Sequence, residues 1–110
     1  MFLDVNSIKS NAQNREIIFW GCSEDWVPKS KFLFPEVKKI IDTNYEKIGP
    51  KYGSLECVDP NKVLNNINNY FIVITSGSTD SIDEVLRENH WKPGQDYSFS
   101  PVFYLSLIHI

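Results

Sequence analysis

At 110 residues the chain has room for one domain and one core, and for no second domain beside it. Apolar residues make up 42% and charged residues 23%, the balance of a soluble globular fold. With 11 Lys and Arg against 14 Asp and Glu the net charge is −3, which gives no broad attraction to nucleic acid or to an anionic membrane surface.

Residues 1–14 are polar after Met1-Phe2-Leu3 and read as a lead-in, with at most a weak helical turn over Val5 to Ile8. No charged segment leads into an apolar one here, and no apolar run is long enough to span a bilayer, so a cytoplasmic setting without a membrane partner is expected. Glu16 to Trp20 is a continuous apolar run ending at Gly21, the pattern of a central parallel strand covered on both faces. Pro28 fits the first turn of a short helix reaching about Phe34, from which Trp26, Val27, Phe32, Leu33 and Phe34 would cover the sheet. Val37 to Asp42 reads as the second strand, and Thr43 to Gly53 as a loop. Leu55 to Val58 is a short third strand or an extended connection. Asp59-Pro60 then has the form of an N-cap followed by proline at the first helical position.

Val63, Leu64 and Ile67 take helical spacing after that cap, and Tyr70 to Thr75 is the clearest buried strand in the chain. A loop of small residues, Ser76 to Thr79, leads to a helix in which Ser81 and Glu84 have capping-box spacing and Ile82, Val85 and Leu86 form the stripe. Pro93-Gly94 would end it, and Tyr97 to Tyr104 alternates as a last strand, with Pro101 marking an edge. The alternation of strands and helices predicts an α/β domain over residues 15–104: a mostly parallel sheet of about five strands with helices on both faces, in three layers. The final run, residues 105–110, is what CTG-TCT-CTT-ATA-CAC-ATC encodes, a string similar to a transposon adapter used in preparing DNA for sequencing. It is expected to be foreign to the fold, and the natural chain to continue past Tyr104.

In open parallel sheets ligands gather at the carboxyl ends of the strands, where the strand order reverses. Three segments are expected to meet there. Gly21-Cys22-Ser23 stands where a G-x-G-x-x-G fingerprint would stand, with Gly21 matching the first glycine, Ser23 replacing the second and Trp26 the third. Glu24 and Asp25 suit the following helix dipole but repel a phosphate, so a plain tight turn is the alternative. Asp42 lies 21 residues after Gly21, near the interval at which a carboxylate accepts ribose hydroxyls; the alternative is an Asp that caps its own turn. Thr75, Ser76, Gly77 and Ser78 offer hydroxyls and backbone N–H groups at a strand-to-helix junction, for a phosphate, a sugar hydroxyl or only a helix cap. Cys22 and Cys57 make neither a disulfide framework nor a metal pattern, and no metal is expected. No histidine is placed to activate Cys22 as a nucleophile, and no proton-transfer set such as Tyr-x-x-x-Lys is present, so no catalytic residue is assigned.

The succession Ile17-Ile18-Phe19-Trp20-Gly21, Ile41-Asp42-Thr43-Asn44 with Lys47 and Gly49, Val58 with Pro60 and Val63-Leu64, Phe71 to Ser76, then Ile82 and Leu86, resembles a known domain type. It is similar to the Rossmann-like domains of bacterial and phage sugar-modification proteins, both the N-terminal domain of sugar O- and N-acyltransferases and the C-terminal domain of sugar C-methyltransferases. Ser23, Trp26 and Thr43 depart from that pattern, at positions where glycine, a small residue and asparagine are usual. The resemblance implies an accessory module for a nucleotide or nucleotide sugar in surface-polysaccharide assembly; a stand-alone NAD(P)-dependent oxidoreductase, the other cofactor class the loop position allows, is disfavoured by the degraded fingerprint. The resemblance implicates Gly21, Asp42 and Ser76, and a catalytic part downstream as partner. A scaffold domain with a degenerate nucleotide site is the competing expectation.

Overall fold

The computed structural model describes residues 3–103, so the terminal run 105–110 and Tyr104 lie outside the described residues. The elements in chain order are α1 Val5–Ala12, β1 Glu16–Trp20, α2 Trp26–Leu33, β2 Lys39–Ile41, α3 Tyr45–Ile48, β3 Lys51–Tyr52, β4 Leu55–Val58, α4 Pro60–Leu64, β5 Tyr70–Ile74, α5 Thr79–Glu88 and β6 Tyr97–Phe99. The sheet has six strands in the order β3-β4-β2-β1-β5-β6. Every neighbouring pair is parallel except β3 with β4.

The central pair β1 and β5 runs in register over five residues, from Glu16 opposite Tyr70 to Trp20 opposite Ile74. Successive side chains of a strand face opposite sides, and β1 shows what that demands of a central strand. Ile17 and Phe19 enter one apolar cluster with Ile8 and Ala12 of α1 and Val27 of α2. Ile18 and Trp20 enter a second with Val63 of α4 and Ile82 and Leu86 of α5. Both sets being apolar is why the segment shows no alternation.

Several expectations need correction. The sheet has six strands rather than about five, the addition being β3 in the segment read as loop. Lys51–Tyr52 folds back on Leu55 and Glu56 through Gly53, whose φ of 62° suits a tight turn. Two residues are too few to show a period. The same segment also holds α3, whose Tyr45 hydroxyl donates to Asp59 Oδ2 at 3.1 Å. The polar lead-in is a full helix: Asp4 caps α1 by accepting from the Ser7 N–H at 2.7 Å, and Ile8 and Ala12, four apart on one face, are buried. Phe32 does not cover the sheet but is 85% exposed, while Phe34 takes the buried place beside Phe19. Ser81 lies inside α5, which begins after Ser78, so it forms no capping box. The last strand stops at Phe99, and residues 101–103 turn helical, with Phe103 against the Trp26 ring at 4.4 Å.

Arg15, just before β1, ties the amino ends of the strands together. Its guanidinium donates to Asp96 Oδ1 at 2.8 Å and to the carbonyls of Asn11 and Gln95, each at 2.8 Å, while its Nε reaches the Ala12 carbonyl. Asp96 Oδ2 accepts from the Lys92 N–H, so both oxygens of this buried carboxylate are satisfied. The guanidinium of Arg15 also lies over the Phe71 ring, 5.5 Å from its centroid.

Candidate functional site

The parallel strands, counted in chain order as first to fifth, stand third-second-first-fourth-fifth across the sheet. The order reverses at β1, so the chain leaving β1 and the chain leaving β5 diverge at adjacent carboxyl ends. Between them lies a cavity of about 410 Å³, within the range of small-molecule sites.

Gly21 sets the wall between the two loops. Its N–H donates to the Ile41 carbonyl at 2.9 Å and its carbonyl accepts from the buried Thr75 hydroxyl at 2.7 Å. Its φ is +117°, and a Cβ there would stand 2.3 Å from Ser76 Cβ and 2.9 Å from Ser76 N. Glycine is therefore required by the contact between the β1 and β5 loops, whether or not a phosphate binds.

Asp42 is the second support. Its Oδ2 accepts from the Cys22 N–H at 2.9 Å and its Oδ1 from the Asn44 N–H at 2.8 Å. The carboxylate thus staples the β1 loop to the end of β2. Each oxygen keeps a lone pair for a hydroxyl, but the Cys22 N–H is already engaged. Ser23 is drawn away from the cavity: its hydroxyl accepts from the Trp26 N–H and its carbonyl from the Val27 N–H, so it starts α2.

Of the eight residues singled out, Gly21, Cys22, Asp42, Ser76 and Ser78 line the cavity, while Ser23, Thr75 and Gly77 do not. Thr75 is buried in the loop contact, and Gly77 is exposed in open space without left-handed φ. Ser76 Oγ accepts from the Ser78 N–H at 3.1 Å, shaping the turn into α5. Sequence reasoning missed part of the far wall: Ser81, Ile82 and Val85, from the first half of α5, close the cavity. In the sequence Ile82 and Val85 read as a core stripe and Ser81 as a capping-box residue. The stripe's first turn is also where a helix leaving a switch point faces the site.

The lining is hydroxyl, amide and apolar. Among the described residues no Lys or Arg lines it, Asp42 is its one formal charge, and Glu24 and Asp25 stand at the start of α2 nearby. Burial, with Asp42 and Cys57 beside it, pushes the Cys22 thiol up to about 12, and burial with Asp42 raises Cys57 as well. Cys22 is a protonated thiol at neutral pH, unsuited to nucleophilic attack. Tyr52 is raised too, by burial and then by Cys22, Glu24 and Asp42 around it. Among the described residues no group of three or more His, Cys, Asp and Glu could hold a metal ion, and no helix is long and apolar enough to cross a membrane. In comparisons with known proteins, no family model, no curated protein and no solved structure matches the chain.

Proposed function

We propose that the chain is a Rossmann-like, three-layer module that binds a nucleotide or nucleotide sugar at the carboxyl ends of β1, β2 and β5, as an accessory to sugar modification. The observation that carries the reading is the cavity of about 410 Å³ at the point where the parallel strand order reverses. Its chemistry supports anchoring through the hydroxyl-bearing part of the ligand. Asp42, Thr43 and Asn44 offer acceptors and donors to a ribose or sugar, and the Trp20, Ile82 and Val85 side chains give an apolar floor. Phosphates belong on the side of Ser76 and Ser78, away from Glu24 and Asp25.

Calorimetric titration with uridine and guanosine diphosphate sugars, NAD and the bare nucleosides tests this reading. Binding of about tens of micromolar or weaker is expected, with the diphosphate adding little to the nucleoside because no cation lines the site. Ser81→Ala should weaken it without unfolding the chain. Asp42→Ala is a poorer probe, since it also frees two backbone N–H groups. Absence of heat with every nucleotide and nucleoside would leave the scaffold reading in its place.

A further inference from the structure

A second cavity, of about 530 Å³, lies at the opposite end of the sheet, against the amino ends of β1, β5 and β6. Its lining is unusual in kind: six carboxamides, Asn11, Gln13, Asn14, Asn68, Asn69 and Gln95, surround the Arg15–Asp96 pair. Asn11 spends its Nδ2 on the Gly94 carbonyl at 2.7 Å. The other five side chains make no hydrogen bond within the described residues and are exposed at the rim. The ion pair beneath them is internally satisfied, so the site presents donors and acceptors in equal number and no net charge.

One of the five is held at a cost. The turn from Ala12 to Arg15, closed by the Arg15 N–H on the Ala12 carbonyl at 2.9 Å, puts Gln13 at φ 55°, ψ −118°. That is the first central position of a type II′ turn, where glycine is the usual residue. A glycine would relieve the strain and remove the amide from the cavity. Strained backbone of this kind clusters at binding sites, and here it holds an amide against the polar cleft.

We propose that this cleft is a saccharide site, taking a neutral mono- or disaccharide whose hydroxyls pair with the five free carboxamides. Each hydroxyl both donates and accepts, as each carboxamide does, and neither carries charge. The proposal is independent of the nucleotide reading, and Asp42→Ala leaves it untouched.

The test is NMR titration of the full chain with maltose, cellobiose, lactose and N-acetylglucosamine to about 50 mM, the range of weak single-site binding, with inorganic phosphate and triglycine as controls. The expected result is saturable shifts of the side-chain NH2 signals of Gln13, Asn14, Asn68, Asn69 and Gln95 with at least one saccharide. Gln13→Gly should melt a few degrees higher, roughly 4 °C, as strain is released, and yet bind about tenfold more weakly or worse, since a hydrogen-bonding partner is lost. Asn69→Ala should weaken binding likewise. Shifts that stay linear for every saccharide would overturn the proposal. So would saturation by phosphate or triglycine alone, or unchanged affinity in both Gln13→Gly and Asn69→Ala.

Discussion

Gly21 and Gly77 stand on neighbouring loops of the switch-point cavity and answer to different constraints. Gly21 has left-handed φ and no room for a Cβ, so Gly21→Ala should cost about 3 kcal/mol through strain and the clash with Ser76. Gly77 has neither restriction, and Gly77→Ala should stay within about 1 kcal/mol of the parent, on the stabilising side. Urea unfolding of the two variants separates them; equal costs would mean that the β1 and β5 loops do not meet as described. Cys22 gives a pH test. Its thiol titrates higher in the folded chain than in the unfolded one, so its contribution to stability is complete below the unfolded value near 8.5 and is lost as pH rises toward about 12. At pH 8 the folded thiol should hold far less thiolate than a free cysteine. Iodoacetamide labelling read by mass spectrometry should therefore be far slower in the folded chain than in urea, and equal rates would contradict the half-buried placement beside Asp42.

At the scale of elements, the ends of α5 show how much a local signal says. His90 has φ 69°, its N–H reaches the Arg87 carbonyl at 3.0 Å, and the Trp91 N–H reaches Leu86 at 2.9 Å. This is a Schellman ending in which a histidine occupies the glycine position and the buried Trp91 packs near Leu86. His90→Gly should raise stability by about 1 kcal/mol, readable as a higher thermal midpoint; a fall would show that the His90 side chain has a role of its own. The sequence displayed β1, β5 and the Asp59–Pro60 cap plainly, because each is stated by consecutive residues, while β4 stood open between strand and extended connection. Asp59 does accept from the Asn61 N–H at 2.9 Å. It displayed α1, α3 and β3 poorly. Two buried positions in a mostly polar segment, one turn of helix and a two-residue strand carry too little periodicity to stand out. At the site, the glycine and aspartate were legible by position, and so was the aspartate's capping of its own turn through the Asn44 N–H, but not its reach to the β1 loop. Asp42 bonds to backbone N–H groups twenty and two residues away, and only the fold reveals the longer of these contacts.

For the molecule as a whole, the two apolar clusters flank one sheet, and its centre bears the load. Ile74 is fully buried, and Ile74→Ala should cost about 2–5 kcal/mol by denaturant unfolding. Arg15 matters comparably at the other end. Its removal leaves the buried Asp96 carboxylate without its charge partner, so Arg15→Ala should cost about 3–5 kcal/mol. Lysine cannot replace the fork that reaches Asn11, Gln95 and Asp96 together. The carboxyl-end cavity between the loops after β1 and β5 is the proposed nucleotide site. The most direct test is a backbone amide shift map of the labelled chain titrated with uridine and with a uridine diphosphate sugar. The account predicts that both ligands move the amides of Cys22, Thr43, Asn44, Ser76, Ser78 and Ser81, with saturation at similar concentrations. Shifts scattered over the surface, or none at these six residues, would contradict it.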